Sequence, residues 1–293
     1  MSKKQPPGGQ APVVQRIRIR YAKRGPLRFT SHRDFARAIE RAIQRANAPI
    51  AFSQGFTPHP KISFASAAPT GVASEAEYLE LGLRERVDPA RLRDALDAAL
   101  SPGLDVIEAV EARTTDSLAD RITASAWRIE LPGVGLAELE AAVAAFLARD
   151  EVLVERLTKQ GRRTFDTRGA VHMITPGREP DRRENAESAG PSGPSATSCA
   201  ILDLVVRQVT PSVRPDDVLS GLRVVADLEP VAPARVTRLA QGTLTSQGEI
   251  VDPLELDRDA AALGTTPAAA GVPNGRESTR QPAHTGALSR ENS

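Results

Sequence analysis

The sequence predicts an α+β fold built from two tandem ferredoxin-like (βαββαβ) halves, followed by a disordered C-terminal tail. Three observations carry the prediction. A strict apolar/basic alternation opens the ordered region at Val13. Four segments then carry apolar residues at helical spacing, separated by shorter alternating or apolar runs. Large apolar residues become sparse after Gln241.

Residues 12–115 form the first predicted half. From Val13 to Tyr21, Ile17, Ile19 and Tyr21 share one face and Arg16, Arg18 and Arg20 the other, as in a strand with one buried and one open face. Ser31 reads as a helix cap with Asp34 three positions on. Phe35, Ile39, Ala42, Ile43 and Ala46 then recur at helical spacing until Asn47 to Pro49. Ile62 to Ala65 and Ala76 to Leu83 read as two hairpin strands. Asp88 and Pro89 open a second helix with Leu92, Leu96, Ala99 and Leu100 on its apolar stripe, and Leu104 to Val110 is a further strand.

Residues 120–240 form the second half. Ala126 to Leu131 is a strand bearing Trp127 and Ile129, and Leu136 to Leu147 an amphipathic helix. Val152 to Thr158 and Phe165 to Ile174 are strands around a turn at Lys159 to Arg163. Cys199 to Arg207, Pro215 to Leu222 and Ala234 to Leu239 complete the half as strand, helix and strand. Residues 1–11 are expected to be disordered, Pro176 to Ser198 reads as a flexible insertion, and Gln241 to Ser293 as a disordered tail.

Hydrophobic residues make up 40% of the 293 and aromatics 3%, a core diluted by unstructured segments. The single cysteine, Cys199, allows no internal disulfide, and no cysteine pair or triplet is present to hold zinc or an iron–sulfur cluster. No motif for metal, nucleotide or covalent catalysis is found, so no cofactor is expected. The polar N-terminus with Lys3 and Lys4 does not read as a signal peptide, and no apolar run is long enough for a membrane span, so the expected location is cytoplasmic.

The near-neutral net charge of +1 hides an asymmetry. Between Lys3 and Lys61 the only acids are Asp34 and Glu40, amid many Lys and Arg, whereas acids outnumber bases from Ile62 to Leu157. Arg33, Arg37, Arg41 and Arg45, spaced by four, make a drifting stripe on one helix. Arg16, Arg18 and Arg20 make a second row, and Lys159, Arg162, Arg163 and Arg168 cluster about a hairpin tip. Such rows fit successive phosphates of a nucleic acid. Internal pairing is the other reading: Arg37 and Arg41 with Asp34 and Glu40, Arg18 with Glu80, or the two charge regions with each other.

Gln54 to Ser63 is dense in turn formers. Gly55 permits a turn, Phe56 follows it, and Pro58 and Pro60 hold His59 extended beside Lys61. With Glu75 and Glu77 downstream, this reads as a partner or substrate loop, or as a rigid connection. The run GFTPHPKISFASAAPTGVASEAEYLEL, with the preceding LRFTSHRDFARAIERAIQRANAPIAFSQ and the later KQGRRTFDTRGAV, resembles the radical SAM-linked protein family between about Val13 and Leu239. That resemblance implies an accessory domain working beside a separately encoded radical SAM protein, in a setting of RNA or ribosome metabolism. The expected function is therefore an accessory protein contacting RNA (tRNA or rRNA), with no membrane partner. Two alternatives stand beside it: a metal-independent RNA endonuclease using His32 and His59 as acid and base, and a protein–protein scaffold without RNA contact.

Overall fold

Ile17, Ile19 and Tyr21 alternate along β1 (Gln15–Lys23) and all three are buried, so the predicted face forms. In the computed structural model, which describes residues 12–54, 56–158, 161–178 and 198–258, β1 is followed by a short 3-10 helix (Gly25–Phe29) and α1 (His32–Arg45). Ser31 caps α1: its Oγ accepts from the Asp34 N–H at 3.2 Å, satisfying one of the free donors of the first turn. Phe35, Ile39, Ala42 and Ile43 are its buried face, and Asn47 leaves the helix at φ 51°. β2 (Ile62–Ala65) and β3 (Ala73–Leu83) follow. Asp88 then caps α2 (Pro89–Ala99), with Pro89 in the first turn, where its missing N–H costs nothing. β4 (Leu104–Glu111) ends this stretch.

The next stretch runs through β5 (Ala124–Pro132), α3 (Leu136–Leu147), β6 (Leu153–Thr158), β7 (Gly161–Asp166), β8 (Val171–Arg178), β9 (Cys199–Arg207), α4 (Pro215–Ala226), β10 (Arg235–Leu244) and β11 (Ile250–Val251). The class is mixed α+β, mostly sheet. Among the described residues, nine strands share one sheet. Its path is β4-β1-β3-β10-β5-β9-β8, with β2 against β3 and β11 against β10, while β6 and β7 pair only with each other. The two stretches meet where β10 runs parallel to β3 for two residue pairs, Thr237 with Ala73 and Arg238 with Ser74. Each has its own core. Leu79, Leu81 and Leu83 of β3 pack with the β1 face and the inner faces of α1 and α2. Trp127, Ile129 and Leu131 of β5 pack under Phe146 of α3 and Leu222 of α4.

Four expectations are corrected. The expected strand Phe165 to Ile174 is broken at residues 167–170: Asp166 accepts N–H bonds from Val152, Arg168 and Gly169, which closes a turn, so β7 leaves the main sheet and β8 joins it. The insertion expected from Pro176 begins later, because β8 pairs with β9 as far as Arg178. The remainder of that insertion, 179–197, lies outside the described residues.

The third correction concerns the expected tail at Gln241. β10 continues to Leu244, β11 turns back onto it, and residues 252–258 dock on the first stretch, with Leu254 buried beside Tyr78, Leu118 and Ile122. Residues 1–11 and 259–293, also expected to be disordered, lie outside the described residues.

The fourth is the open face of β1. Segments 114–122 and 250–258 cover it, so Arg18 is 0% exposed. Its guanidinium donates to Glu80 (2.9 Å), Thr114 and Asp257 (2.8 Å), and to the Asp116 carbonyl. Arg20 donates to the Glu75 carbonyl and to Asp252, and Arg16 reaches Glu80 at 3.3 Å.

The hairpin of β10 and β11 leaves no room for a side chain at Gly242, whose added Cβ would lie 1.9 Å from the Val251 carbonyl oxygen. Gly242→Ala should displace β11 and the 252–258 segment and cost about 1–3 kcal/mol. A thermal melt lowered by several degrees checks this.

Candidate functional site

Three charged residues stand on the core side of the sheet, where apolar residues are the rule. Period two along β1 puts Lys23 on the face of Ile17, Ile19 and Tyr21, and along β3 it puts Glu77 on the face of Leu79 and Leu81. Arg238 of β10 lies directly opposite Trp127 of β5, and its guanidinium sits 4.6 Å over the indole ring. All three are buried. Glu77 joins them: one carboxylate oxygen accepts from Arg238 Nη1 at 2.9 Å and the other from the Ala68 N–H at 2.9 Å. Arg238 also donates to the Ser66 carbonyl, and Lys23 to the Pro69 carbonyl at 3.1 Å. The chain from Ser66 to Pro69 is therefore clamped by buried charges and has few alternative conformations.

Electrostatics follow from burial. Burial pushes the Lys23 ammonium below its ordinary value, with Glu77 opposing and Arg238 reinforcing that shift. Burial likewise lowers the Arg238 guanidinium, again opposed by Glu77. Tyr21, stacked on Phe35 at 4.3 Å, is raised well above the usual phenol range, chiefly by burial.

Above this network lies a cleft of about 440 Å³ at the seam between the two stretches. Its walls come from the clamped segment, from Ser125 and Trp127 of β5, from Arg238, and from residues 206–215 leading into α4, with His32 at the start of α1. Among the described residues no Asp or Glu lines it, while Arg207, Arg214 and Arg238 do.

The predicted basic residues divide. On α1, Arg33, Arg37 and Arg41 are exposed; Arg33 and Arg41 have no ion-pair partner among the described residues, and Arg37 lies 3.9 Å from Asp34. Arg45 is exposed but donates to the Ala99 carbonyl, tying α1 to the end of α2. Arg18 is removed from any surface, Arg20 is half-buried against Asp252, and Arg16 is exposed with Glu80 3.3 Å away. On the β6–β7 hairpin, Arg162 is exposed and 3.4 Å from Glu155, Arg163 is exposed, and Arg168 is half-buried with an unpaired Nε. Lys159 lies outside the described residues.

The expected partner loop also divides. Gly55 lies outside the described residues. Phe56 is 95% exposed, Pro58, His59 and Lys61 are exposed, and Pro60 is half-buried in a bridge with Phe52. Glu75 pairs with Arg24, and Glu77 belongs to the buried network. His32 packs edge-on against Phe64 at 4.9 Å, and no hydrogen bond joins it to His59 among the described residues.

Reading the sequence for basic rows missed Arg238, Arg207 and Arg214. The available signal was a charged residue at a core-facing strand position, seen at Lys23, Glu77 and Arg238 alike. Among the described residues no helix is long and apolar enough to cross a membrane, and no three His, Cys, Asp or Glu side chains group to hold a metal ion. A family model described as an uncharacterized protein conserved in bacteria, DUF2344, matches residues 16–215. No curated protein matches the chain.

Proposed function

We propose that this chain, which belongs to the DUF2344 family of uncharacterized bacterial proteins, is an accessory protein that contacts RNA along the outer face of α1. What supports the reading is the state of three arginines. Arg33, Arg37 and Arg41 lie in one row on the helix, exposed, and among the described residues only the long Arg37–Asp34 contact neutralises them. Guanidinium groups so placed retain their capacity to fork onto phosphate oxygens. The row begins next to His32, one of the residues lining the cleft, so an RNA strand following α1 would be led to the cleft. Arg16, Arg18 and Arg20 are left out of this track. We read each stretch as a ferredoxin-like half, with the β6–β7 hairpin as an insertion in the second. The resemblance to radical SAM-linked proteins adds a separately encoded radical SAM enzyme as the partner, and tRNA or rRNA as the class of RNA.

Each phosphate neutralised on a single strand contributes about −0.7 to the slope of log K against log salt. Replacing Arg33, Arg37 and Arg41 together by alanine should weaken RNA binding and flatten that slope by roughly 2, with the circular dichroism spectrum unchanged because all three side chains are exposed. An unchanged slope would count against α1 as the track.

A further inference from the structure

We infer that the seam cleft is a receptor for a phosphate monoester, the terminal phosphate of an RNA strand; the strand as its source rests on the reading above, while the phosphate chemistry does not. The cleft brings together positive groups from separate parts of the chain. Arg207 ends β9, Arg214 precedes α4, and Arg238 lies on β10. The first turns of two helices, at His32 and at Pro215, also line it. Each such turn carries the positive end of a helix dipole, partly offset by first-turn carboxylates, Asp34 on α1 and Asp216 and Asp217 on α4. Against these stands Glu77, which lies in the buried network and not among the lining residues. Three arginines among the lining residues make the cleft a positive surface, the complement of a phosphate monoester, whose charge near neutral pH is about −1.5 to −2.

An independent observation concerns Arg238. The residue is 4% exposed, yet its Nε–H has no hydrogen-bond partner among the described residues. A buried charged donor left unpaired is unfavourable, and its residue is one of those lining the cleft. Glu77 and the Ser66 carbonyl are both taken up by Nη1. Donors converging from different walls suit the three terminal oxygens of a monoester better than the two coplanar oxygens of a carboxylate. The volume, about 440 Å³, is within the range of small-ligand sites and leaves room for the attached nucleoside, with Trp127 in the wall.

The chain contains one tryptophan, so Trp127 fluorescence reports on the cleft. The full chain would be titrated with three probes: an oligoribonucleotide carrying a terminal phosphate, the same oligonucleotide without it, and a nucleoside monophosphate. The phosphorylated strand should bind roughly tenfold more tightly or better and perturb Trp127. That advantage should vanish in Arg207→Ala/Arg214→Ala, whose two altered side chains are exposed and do not threaten folding. Arg238→Gln is a further variant, read only if it folds. A Trp127 response to the monophosphate alone, with neither oligonucleotide bound, would uphold the phosphate site with a free nucleotide as its source and overturn the RNA reading. Equal binding of both oligonucleotides without a response to the monophosphate would overturn the phosphate site and leave the RNA reading standing. Binding of none of the three would overturn both.

Discussion

Asp257→Ala should lower the free energy of unfolding by about 3 kcal/mol, near the lower end of what breaking a buried ion pair costs. Asp257 is fully buried and receives three hydrogen bonds: from Arg18 Nη1 at 2.8 Å, from Arg121 Nη1 at 2.8 Å and from the Arg113 N–H at 2.8 Å. Its removal strands two guanidinium groups with part of their donors unpaired in a dry site. Glu80 and Asp116 still serve each of them, which keeps the loss from being larger. The same substitution should loosen the 252–258 segment, whose other anchors include Leu254, the Asp252 bonds from Arg20 and Tyr78, and the Arg258 pair with Glu108 at 2.5 Å.

The network also sets a pH dependence. Burial alone would raise the Asp257 carboxyl, but the Arg113 N–H and the bonds from Arg18 and Arg121 outweigh it, and the net shift is downward. Asp116 is lowered too, chiefly by its hydrogen bond to Arg121. A carboxylate depressed on folding contributes stability that is fully present above its unfolded value, about 3.9, and is lost as pH falls through the folded-state value. Wild-type protein should therefore lose stability below about pH 4, and Asp257→Ala should lose less over that interval. Denaturant titrations across the acid range measure both effects.

Glu77→Gln should cost about 3–5 kcal/mol, since it removes the counter-charge from a buried arginine. The amide retains one acceptor, yet Arg238 and Lys23 are then left as uncompensated positive charges in the core. Trp127 emission should change with the loss, because the guanidinium held over its ring is no longer anchored. Glu75→Gln is the matched control. Glu75 lies two residues away, in a half-exposed pair with Arg24, and such pairs contribute about 0–1 kcal/mol. Equal losses from the two substitutions would contradict the assignment of Glu77 to a structural clamp beneath the cleft.

The contrast between these two glutamates shows what the sequence can and cannot convey. Helices α1 to α4 were legible because each carries a clear apolar stripe, and two of them carry a capping residue, Ser31 and Asp88, where it was expected. Period two also gave the facing of Arg18 correctly. It could not give the covering of that face, because both segments that bury Arg18 are distant in sequence, and the one holding Asp257 lies more than two hundred residues along the chain and is poor in large apolar residues. Leu254, Ile250 and Val251 were the sparse signal that the fold continues past Gln241. Local pattern predicts which side chains share a face, whereas docking depends on contacts between distant segments. The cleft illustrates the same division. Lys23, Glu77 and Arg238 can each be placed on a core-facing position by counting, but only the pairing of β3 with β10 brings them to one point.

Photo-crosslinking of RNA to the full chain, followed by identification of the attached residues, tests the central claim most directly. Crosslinks concentrated between His32 and Arg41 and near Arg207 to Arg214 are the expected result. Crosslinks confined to the β6–β7 hairpin, or none at all, would contradict a track running along α1 to the cleft.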